Sequence, residues 1–177
     1  MPRFVALLRG VNVGGSRVAK MADVTAAFYN AGATNVATFI QSGNVVFAHE
    51  VRSAQTIVPM LEAALAKKLG FDVTLTLRTP RELAAVIAKN PYAKADAKTV
   101  HVYFAPTKLA ADALAAIDAS KFSPEECKAN GREVYLHLPK GIGNSKLAAK
   151  LSRTPALVLA TARRIEVVEK IFAMASA

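Results

Sequence analysis

The first 78 residues alternate short apolar runs with segments of helical periodicity, and the order of these segments constrains the fold most. Residues 4–8 form a nearly continuous apolar run, which is typical of a strand deep in a sheet. Helical spacing follows up to Gly32, then two β-branched runs, then a second helix that ends at Gly70 and an alternating fourth strand at residues 73–77. This βαββαβ order is that of a ferredoxin-like unit.

The second half also mixes helices and strands. Thr79 opens a capping box with proline at the first helical position. Residues 99–104 alternate as a strand, and residues 109–117 are rich in alanine and predict a helix. Asn130-Gly131 separates two short strands and marks a hairpin.

Two further helices are expected near the end of the chain, from about Ser145 and from about Ala162. Because no stretch of shifted composition separates the halves, we expect them to pack together. The sequence therefore predicts an α+β protein of two ferredoxin-like, βαββαβ-type subdomains, residues 1–78 and 79–177, with antiparallel sheets and helices on one face. The rough repetition of this order is compatible with a duplicated fold, although no residue-level repeat is visible.

Charge and composition restrict the classes of function. The formal net charge of +10 predicts attraction to polyanions at low salt. The single cysteine, Cys127, rules out an internal disulfide and suits a reducing compartment. No run approaches the roughly 18 apolar residues of a membrane span. We therefore expect a cytoplasmic protein that does not associate with membranes, and the composition leaves its oligomeric state open.

The loop after the first strand, RGVNVGG, is the first candidate site. Gly10, Gly14 and Gly15 permit positive φ, so successive N–H groups could form an anion-binding nest, and Asn12 adds an amide donor beside Arg9. The helix that follows would bring its positive end to the same place. The spacing matches neither the dinucleotide-binding fingerprint nor a P-loop, and we expect no cofactor. The alternative interpretation is a mobile glycine-rich connector.

The turn between the second and third strands, Gln41-Ser42-Gly43-Asn44, is the second candidate site. A right-handed crossover makes the first two strands parallel, with the third inserted between them. The end of the first strand and this turn then share one edge of the sheet. We therefore expect the RGVNVGG and QSGN loops to lie side by side, although about thirty residues separate them in sequence.

A third candidate lies in Gly143-Asn144-Ser145-Lys146, where a glycine loop precedes a helix start. Exposed N–H groups, a hydroxyl and an ammonium group could converge there on an oxyanion. The alternative is an ordinary serine N-cap. Residues 139–164 carry only positive charges, which predicts either a phosphate-binding patch or a solvated basic face; they are Lys140, Lys146, Lys150, Arg153, Arg163 and Arg164.

No motif predicts catalysis or a metal site. Cys127 and the three histidines lie on or at the ends of predicted strands, and no spacing links them as nucleophile and base. The sequence has no CxxC, HxxxH or carboxylate cluster with ligand spacing, so we expect no metal. We expect Glu125 and Glu126 to lie on a solvent-exposed surface.

Four segments, in this order and at these distances, resemble one protein family: ALLRGVNVGG at 6–15, FIQSGNVVF at 39–47, LPKGIGNSKL at 138–147 and TAR at 161–163. By these motifs the chain is similar, over essentially its whole length, to the bacterial domain-of-unknown-function family numbered 1697. The resemblance implies two α+β subdomains of ferredoxin-like character and no established activity. The polar positions that it marks are Arg9, Asn12, Gly14, Gly15, Gln41, Ser42, Gly43, Asn44, Gly143, Ser145, Lys146, Thr161 and Arg163. After Arg163 the family pattern continues with Asn-Trp, whereas Arg164 and Ile165 follow here, so a stacking role for that tryptophan does not carry over.

The main functional hypothesis is a non-catalytic binder of an anionic ligand, either nucleic-acid backbone or a phosphorylated metabolite. It would bind through the RGVNVGG and QSGN loops, and the later basic motif would contribute charge. The predicted ligand-binding residues are Arg9, Gly10, Asn12, Gly14, Gly15, Gln41, Ser42, Gly43, Asn44, Gly143, Ser145, Lys146 and Arg163. One alternative is an enzyme acting on a phosphorylated or nucleotide-like small molecule, in which Arg9, Asn12 and the QSGN side chains polarise the substrate. Another is a protein-interaction module that uses an exposed sheet edge.

Overall fold

The computed structural model describes residues 1–177, and the chain divides into two compact units. The first unit comprises Met1–Leu83 together with Ile171–Ala177, and the second comprises Ala84–Lys170. The division falls slightly later than the predicted boundary after residue 78, and the C-terminal segment belongs to the first unit. Local sequence patterns predict a terminal helix but not the unit against which it packs.

The first unit follows the predicted element order. Its elements are β1 (Arg3–Leu8), α1 (Met21–Asn30), β2 (Thr34–Phe39), β3 (Asn44–Ala48), α2 (Ala54–Leu69) and β4 (Leu75–Arg78). The strands lie in the order β2-β3-β1-β4, and every neighbouring pair is antiparallel. β1 and β2 are therefore parallel with β3 between them, as the crossover rule predicted. Pro59 lies inside α2, and Gly70 caps that helix with a φ of 79°.

Helices α1 and α2 cover one face of this sheet. Alternate residues of β1 and β3 point toward them, so that Leu8 and Phe47 join Phe28 of α1 and Leu65 of α2 in one buried cluster. The Phe28 and Phe47 rings meet edge to face with centroids 5.1 Å apart. Burial of these side chains stabilises the fold by about 2 kcal/mol each.

The second unit holds a sheet of the same kind. Its elements are the end of α3 (Pro80–Ala88), β5 (Val100–Phe104), β6 (Glu126–Asn130), β7 (Glu133–His137), α4 (Lys146–Leu151), β8 (Thr161–Arg164) and the start of α5 (Ile165–Ser176). The strand order is β6-β7-β5-β8, again with antiparallel neighbours. The capping box that opens α3 is formed, because the Glu82 N–H donates to Thr79 Oγ1 at 3.2 Å and the Thr79 N–H donates to the Glu82 carboxylate at 2.7 Å.

Two predictions for this unit are wrong. Residues 109–117 form a succession of turns instead of a helix, with i to i+3 bonds such as Ala113 N–H to Ala110 O at 3.1 Å. Alanine has only a weak preference for the helix. In a short segment the few helical hydrogen bonds do not offset the free-energy cost of helix nucleation unless the segment also packs against the rest of the protein. Residues 161–164 form β8 rather than the start of the last helix, which begins at Ile165. Four residues are too few for strand periodicity to be visible, and pairing with β5 decides their conformation.

The two sheets share strand order and register. Val5 pairs with Val46 on one side and with Arg78 on the other. Its counterpart in β5, Val102, pairs with Tyr135 and with Arg163. The edge strands β4 and β8 thus each carry a buried arginine at the same register, 1% exposed for Arg78 and 7% for Arg163.

The second unit lacks the helix that a βαββαβ unit carries between its first two strands. The fold is therefore α+β, with two four-stranded antiparallel sheets, and the ferredoxin-like assignment stays a prediction. None of the helices combines the length and the hydrophobicity needed to span a membrane.

Candidate functional site

The RGVNVGG loop folds back on itself as a small hairpin. The Asn12 N–H donates to Arg17 O at 3.2 Å, and Val13 pairs with Ser16. Between them Gly14 and Gly15 have φ values of 63° and 75°, the positive pair that a two-residue type I′ turn requires. The turn accounts for both glycines without a bound anion.

The side chain of Asn12 joins this hairpin to the QSGN turn. Its Nδ2 donates to Gln41 O at 2.7 Å and to Ala19 O at 2.9 Å, while its Oδ1 accepts from the Ala19 N–H at 2.8 Å. The prediction that the two loops lie side by side is therefore confirmed. The same bonds occupy both amide hydrogens of Asn12, so its role at this edge is to hold the loops together.

Hydrogen bonds within the QSGN turn and contacts with β1 fix the conformation of the turn. Asn44 is fully buried, and its Nδ2 donates to Phe39 O and to Ser42 Oγ, both at 3.0 Å. The Leu8 N–H donates to Gly43 O at 2.8 Å, and a Cβ at Gly43 would lie 2.6 Å from Leu8 Cβ. Only glycine fits this close approach of the turn to β1.

Few polar groups at this edge stay available for a ligand. Arg17 donates to Asp72 O and stacks over the Phe71 ring at 5.2 Å, which ties it to the segment before β4. The guanidinium of Arg9 makes no hydrogen bond or ion pair, and the Gln41 side chain is exposed. Val13, Val18 and Ile40 expose aliphatic side chains at this edge, beside the exposed polar residues Ser16 and Lys20.

In the second unit the Ser145 hydroxyl forms an N-cap. Its Oγ accepts from the Ala148 N–H at 2.8 Å and donates to a Glu125 carboxylate oxygen at 3.0 Å. The Leu147 N–H donates to the same oxygen at 3.0 Å. The anion at the start of α4 is therefore the chain's own Glu125, which is half-buried instead of solvated as predicted. Ser145 itself is 5% exposed.

The residues around this cap form a cavity of about 320 Å³, here called the lysine cavity. Its wall consists of Lys121, Phe122, Ser123, Pro124, Glu125, Pro139, Lys140, Asn144 and Lys146. Lys140 and Lys146 make no ion pair or hydrogen bond, whereas Lys121 lies 3.7 Å from the Asp118 carboxylate. Three lysines thus line one concave surface, and Glu125 is the one acidic residue in its wall.

Arg163 lies apart from these groups. It is on β8, where its Nη1 donates to Thr161 Oγ1 at 2.8 Å and to Ala162 O at 2.7 Å. Burial lowers the pKa of its guanidinium to about 10. The predicted basic stretch is therefore not one surface, because Arg163 is buried and Arg164 pairs with Glu166 at 3.0 Å.

Sequence reasoning found part of the lysine cavity and missed the rest. Lys146 and Gly143 belong to the polar motifs, but Gly143 does not line the cavity, and its φ is not positive. Lys121 and Glu125 were missed, because they follow the turns at 109–117 with no sequence signal that connects them to α4. No group of three or more His, Cys, Asp or Glu side chains is placed to hold a metal ion.

Comparison with known proteins gives a family and a fold. A family model described as "Protein of unknown function (DUF1697)" matches residues 1–135, which include the RGVNVGG and QSGN loops. A conserved bacterial protein from Streptococcus pneumoniae has a similar structure, with a TM-score of 0.78, 23% sequence identity and 98% of each chain covered. At this identity the likeness shows the fold alone. No protein of curated function matches the sequence. Because the family model spans well over half of the chain, the protein belongs to the DUF1697 family of proteins of unknown function.

Proposed function

We propose that the protein is a non-catalytic binder of a phosphorylated small molecule, and that the phosphate occupies the lysine cavity. The observation that carries this proposal is the convergence of Lys140 and Lys146, neither of which has a partner, on a cavity of about 320 Å³. Opposite charge concentrated on a concave wall raises the local concentration of an anion. A phosphate oxygen between two ammonium groups would accept charge-assisted hydrogen bonds, which are stronger than neutral ones.

The wall carries three lysines against one carboxylate, so its net charge still favours an anion. The carboxylate, Glu125, accepts hydrogen bonds from the Ser145 hydroxyl and the Leu147 N–H, which hold one of its oxygens at the start of α4. Lys121 pairs with Asp118 at the surface, where such pairs contribute about 0 to 1 kcal/mol. That pair is weak enough for Lys121 to join a third contact to a bound phosphate.

The concave shape favours a small molecule over the backbone of a nucleic acid. A polynucleotide requires cations along an extended track, whereas these lysines line the wall of one cavity. Arg9, in the first unit, is a further cation without a partner, and Arg9→Gln in the same assays tests the proposal that it takes part in binding.

The test measures binding of inorganic phosphate and pyrophosphate by isothermal titration calorimetry at low and moderate salt. The double variant Lys140→Gln/Lys146→Gln removes the two unpartnered ammonium groups, and we expect its affinity to fall at least tenfold. The matched control is Lys94→Gln/Lys98→Gln, which removes the same charge from the same unit at exposed positions outside the cavity wall. We expect this control to bind within twofold of the natural protein.

Equal loss of affinity in both double variants would mean that net charge, and not the cavity, attracts phosphate. A short fluorescent oligonucleotide provides the opposing outcome: tight binding with a log-log salt slope that grows with oligonucleotide length would indicate nucleic-acid backbone as the ligand.

Three finer assignments are also part of this proposal. Burial raises the pKa of the free Cys127 thiol and so disfavours the thiolate, which supports binding rather than nucleophilic chemistry. A single free thiol also supports a cytoplasmic location. The strand order of the first unit supports the ferredoxin-like assignment for that unit. The enzyme and protein-interaction alternatives stay predictions.

A further inference from the structure

A second cavity adjoins the lysine cavity in the second unit. It has a volume of about 650 Å³ and is here called the tyrosine cavity. Its wall consists of Tyr92, Ala119, Ser120, Ser123, Pro124, Glu125, Glu126, Cys127 and Lys128. Because Ser123, Pro124 and Glu125 also line the lysine cavity, a molecule that extends past these three residues would contact both cavities.

Tyr92 gives the tyrosine cavity an unused hydrogen-bond donor. The residue is 9% exposed, and its buried hydroxyl has no hydrogen-bond partner. An unsatisfied buried polar group destabilises the free protein, so its presence calls for an explanation. The ring itself is held in place, stacked on His137 at 5.7 Å with the Lys128 ammonium 6.0 Å from its centroid.

Tyr92 is part of the cavity wall, together with Glu126 and Cys127. The pKa of Tyr92 is raised to about 12, chiefly by burial and further by its electrostatic interaction with Glu126. An acceptor atom of a ligand seated against this wall would give the hydroxyl the partner that it lacks. The other wall groups, two serine hydroxyls, two carboxylates and the Lys128 ammonium, suit a polar organic group rather than an alkyl chain.

We propose that the two cavities form one site for a phosphate monoester of a polar metabolite, with the phosphate among the lysines and the organic part accepting a hydrogen bond from Tyr92. This inference rests on the proposed function and adds the class of ligand. It predicts that an ester such as ribose 5-phosphate or adenosine 5′-monophosphate binds at least tenfold tighter than inorganic phosphate, since only the ester reaches the tyrosine cavity.

The test compares these two esters with inorganic phosphate on the full chain by calorimetry. Tyr92→Phe removes only the unpartnered hydroxyl, so we expect the variant to fold and to melt at an equal or higher temperature. Its affinity for the esters should fall about fivefold to tenfold, the loss expected for one hydrogen bond. Its affinity for inorganic phosphate should stay within twofold. Tyr29→Phe, at an exposed tyrosine of α1, is the matched control and should change neither affinity.

The outcomes separate this inference from the proposed function. Ester affinity that is unchanged by Tyr92→Phe, or no tighter than that of phosphate, would overturn the combined site while lysine-dependent phosphate binding still supported the proposed function. Absence of lysine-dependent binding for every probe would overturn both.

Discussion

Replacement of Gly43 by alanine tests whether the close approach of the QSGN turn to β1 holds this edge of the first unit together. Gly43 has a φ of 76°, and a Cβ there would lie 2.6 Å from Leu8 Cβ and 2.9 Å from Val11 Cγ2. Carbon atoms in contact prefer separations of about 3.5 to 4.0 Å. Leu8 Cβ is attached directly to the backbone of β1, so it does not move away by a side-chain rotation.

The expected loss of stability has two parts. The left-handed conformation costs an alanine about 1 to 2 kcal/mol, and overpacking a buried position costs about 1 to 3 kcal/mol more. The sum is about 2 to 5 kcal/mol, a large fraction of the stability of a domain. Gly14→Ala is the matched control, because Gly14 has a φ of 63° but no atom within 4 Å of the added Cβ. It should lose only the conformational part, about 1 to 2 kcal/mol.

Urea unfolding followed by far-UV circular dichroism measures both variants, since the chain contains no tryptophan for fluorescence. We expect the Gly43→Ala midpoint to lie clearly below that of Gly14→Ala. Equal midpoints would refute the reasoning, because they would show that the turn moves away from β1 at no cost and that the contact does not fix the edge.

Two further predictions concern single side chains. Asn12→Asp keeps the acceptor for the Ala19 N–H but removes both donors. In the same urea assay it should therefore lower the free energy of unfolding by about 2 kcal/mol. A loss below about 0.5 kcal/mol, which is typical of an ordinary surface position, would contradict the bridging role of Asn12. Burial lowers the pKa of His101, whose Nδ1 has no partner, so below about pH 6.5 the unfolded chain binds a proton that the folded chain does not. The free energy of unfolding should therefore fall on acidification by up to about 1.4 kcal/mol per pH unit, and urea midpoints between pH 5 and 7 should lose that slope in His101→Leu.

Much of the first unit was predictable from the sequence, because its signals are local. The glycine at position 70 ends α2 in the left-handed conformation, and Thr79 and Glu82 form the capping box that their spacing indicates. The contact between Asn12 and Gln41 was predictable too, since crossover handedness fixes the strand order and thereby the positions of both loops. The sequence did not show that these polar side chains hold the loops instead of facing a ligand, because their hydrogen-bond partners are mostly backbone groups.

In the second unit, local sequence patterns did not predict the conformation of two segments. The turns at 109–117 and strand β8 depend on packing and on pairing with β5, and both override the propensities of the segments themselves.

The amino-acid sequence by itself determined the element order of the first unit, the glycine that ends α2, the Thr79 capping box and the neighbourhood of the RGVNVGG and QSGN loops. Each of these follows from residue type, periodicity or chain handedness. Only the tertiary structure brought Lys121 and Glu125 to Lys140, Lys146 and the Ser145 cap. These groups share no periodic pattern, and the energy of their meeting comes from contacts between segments that are distant along the chain.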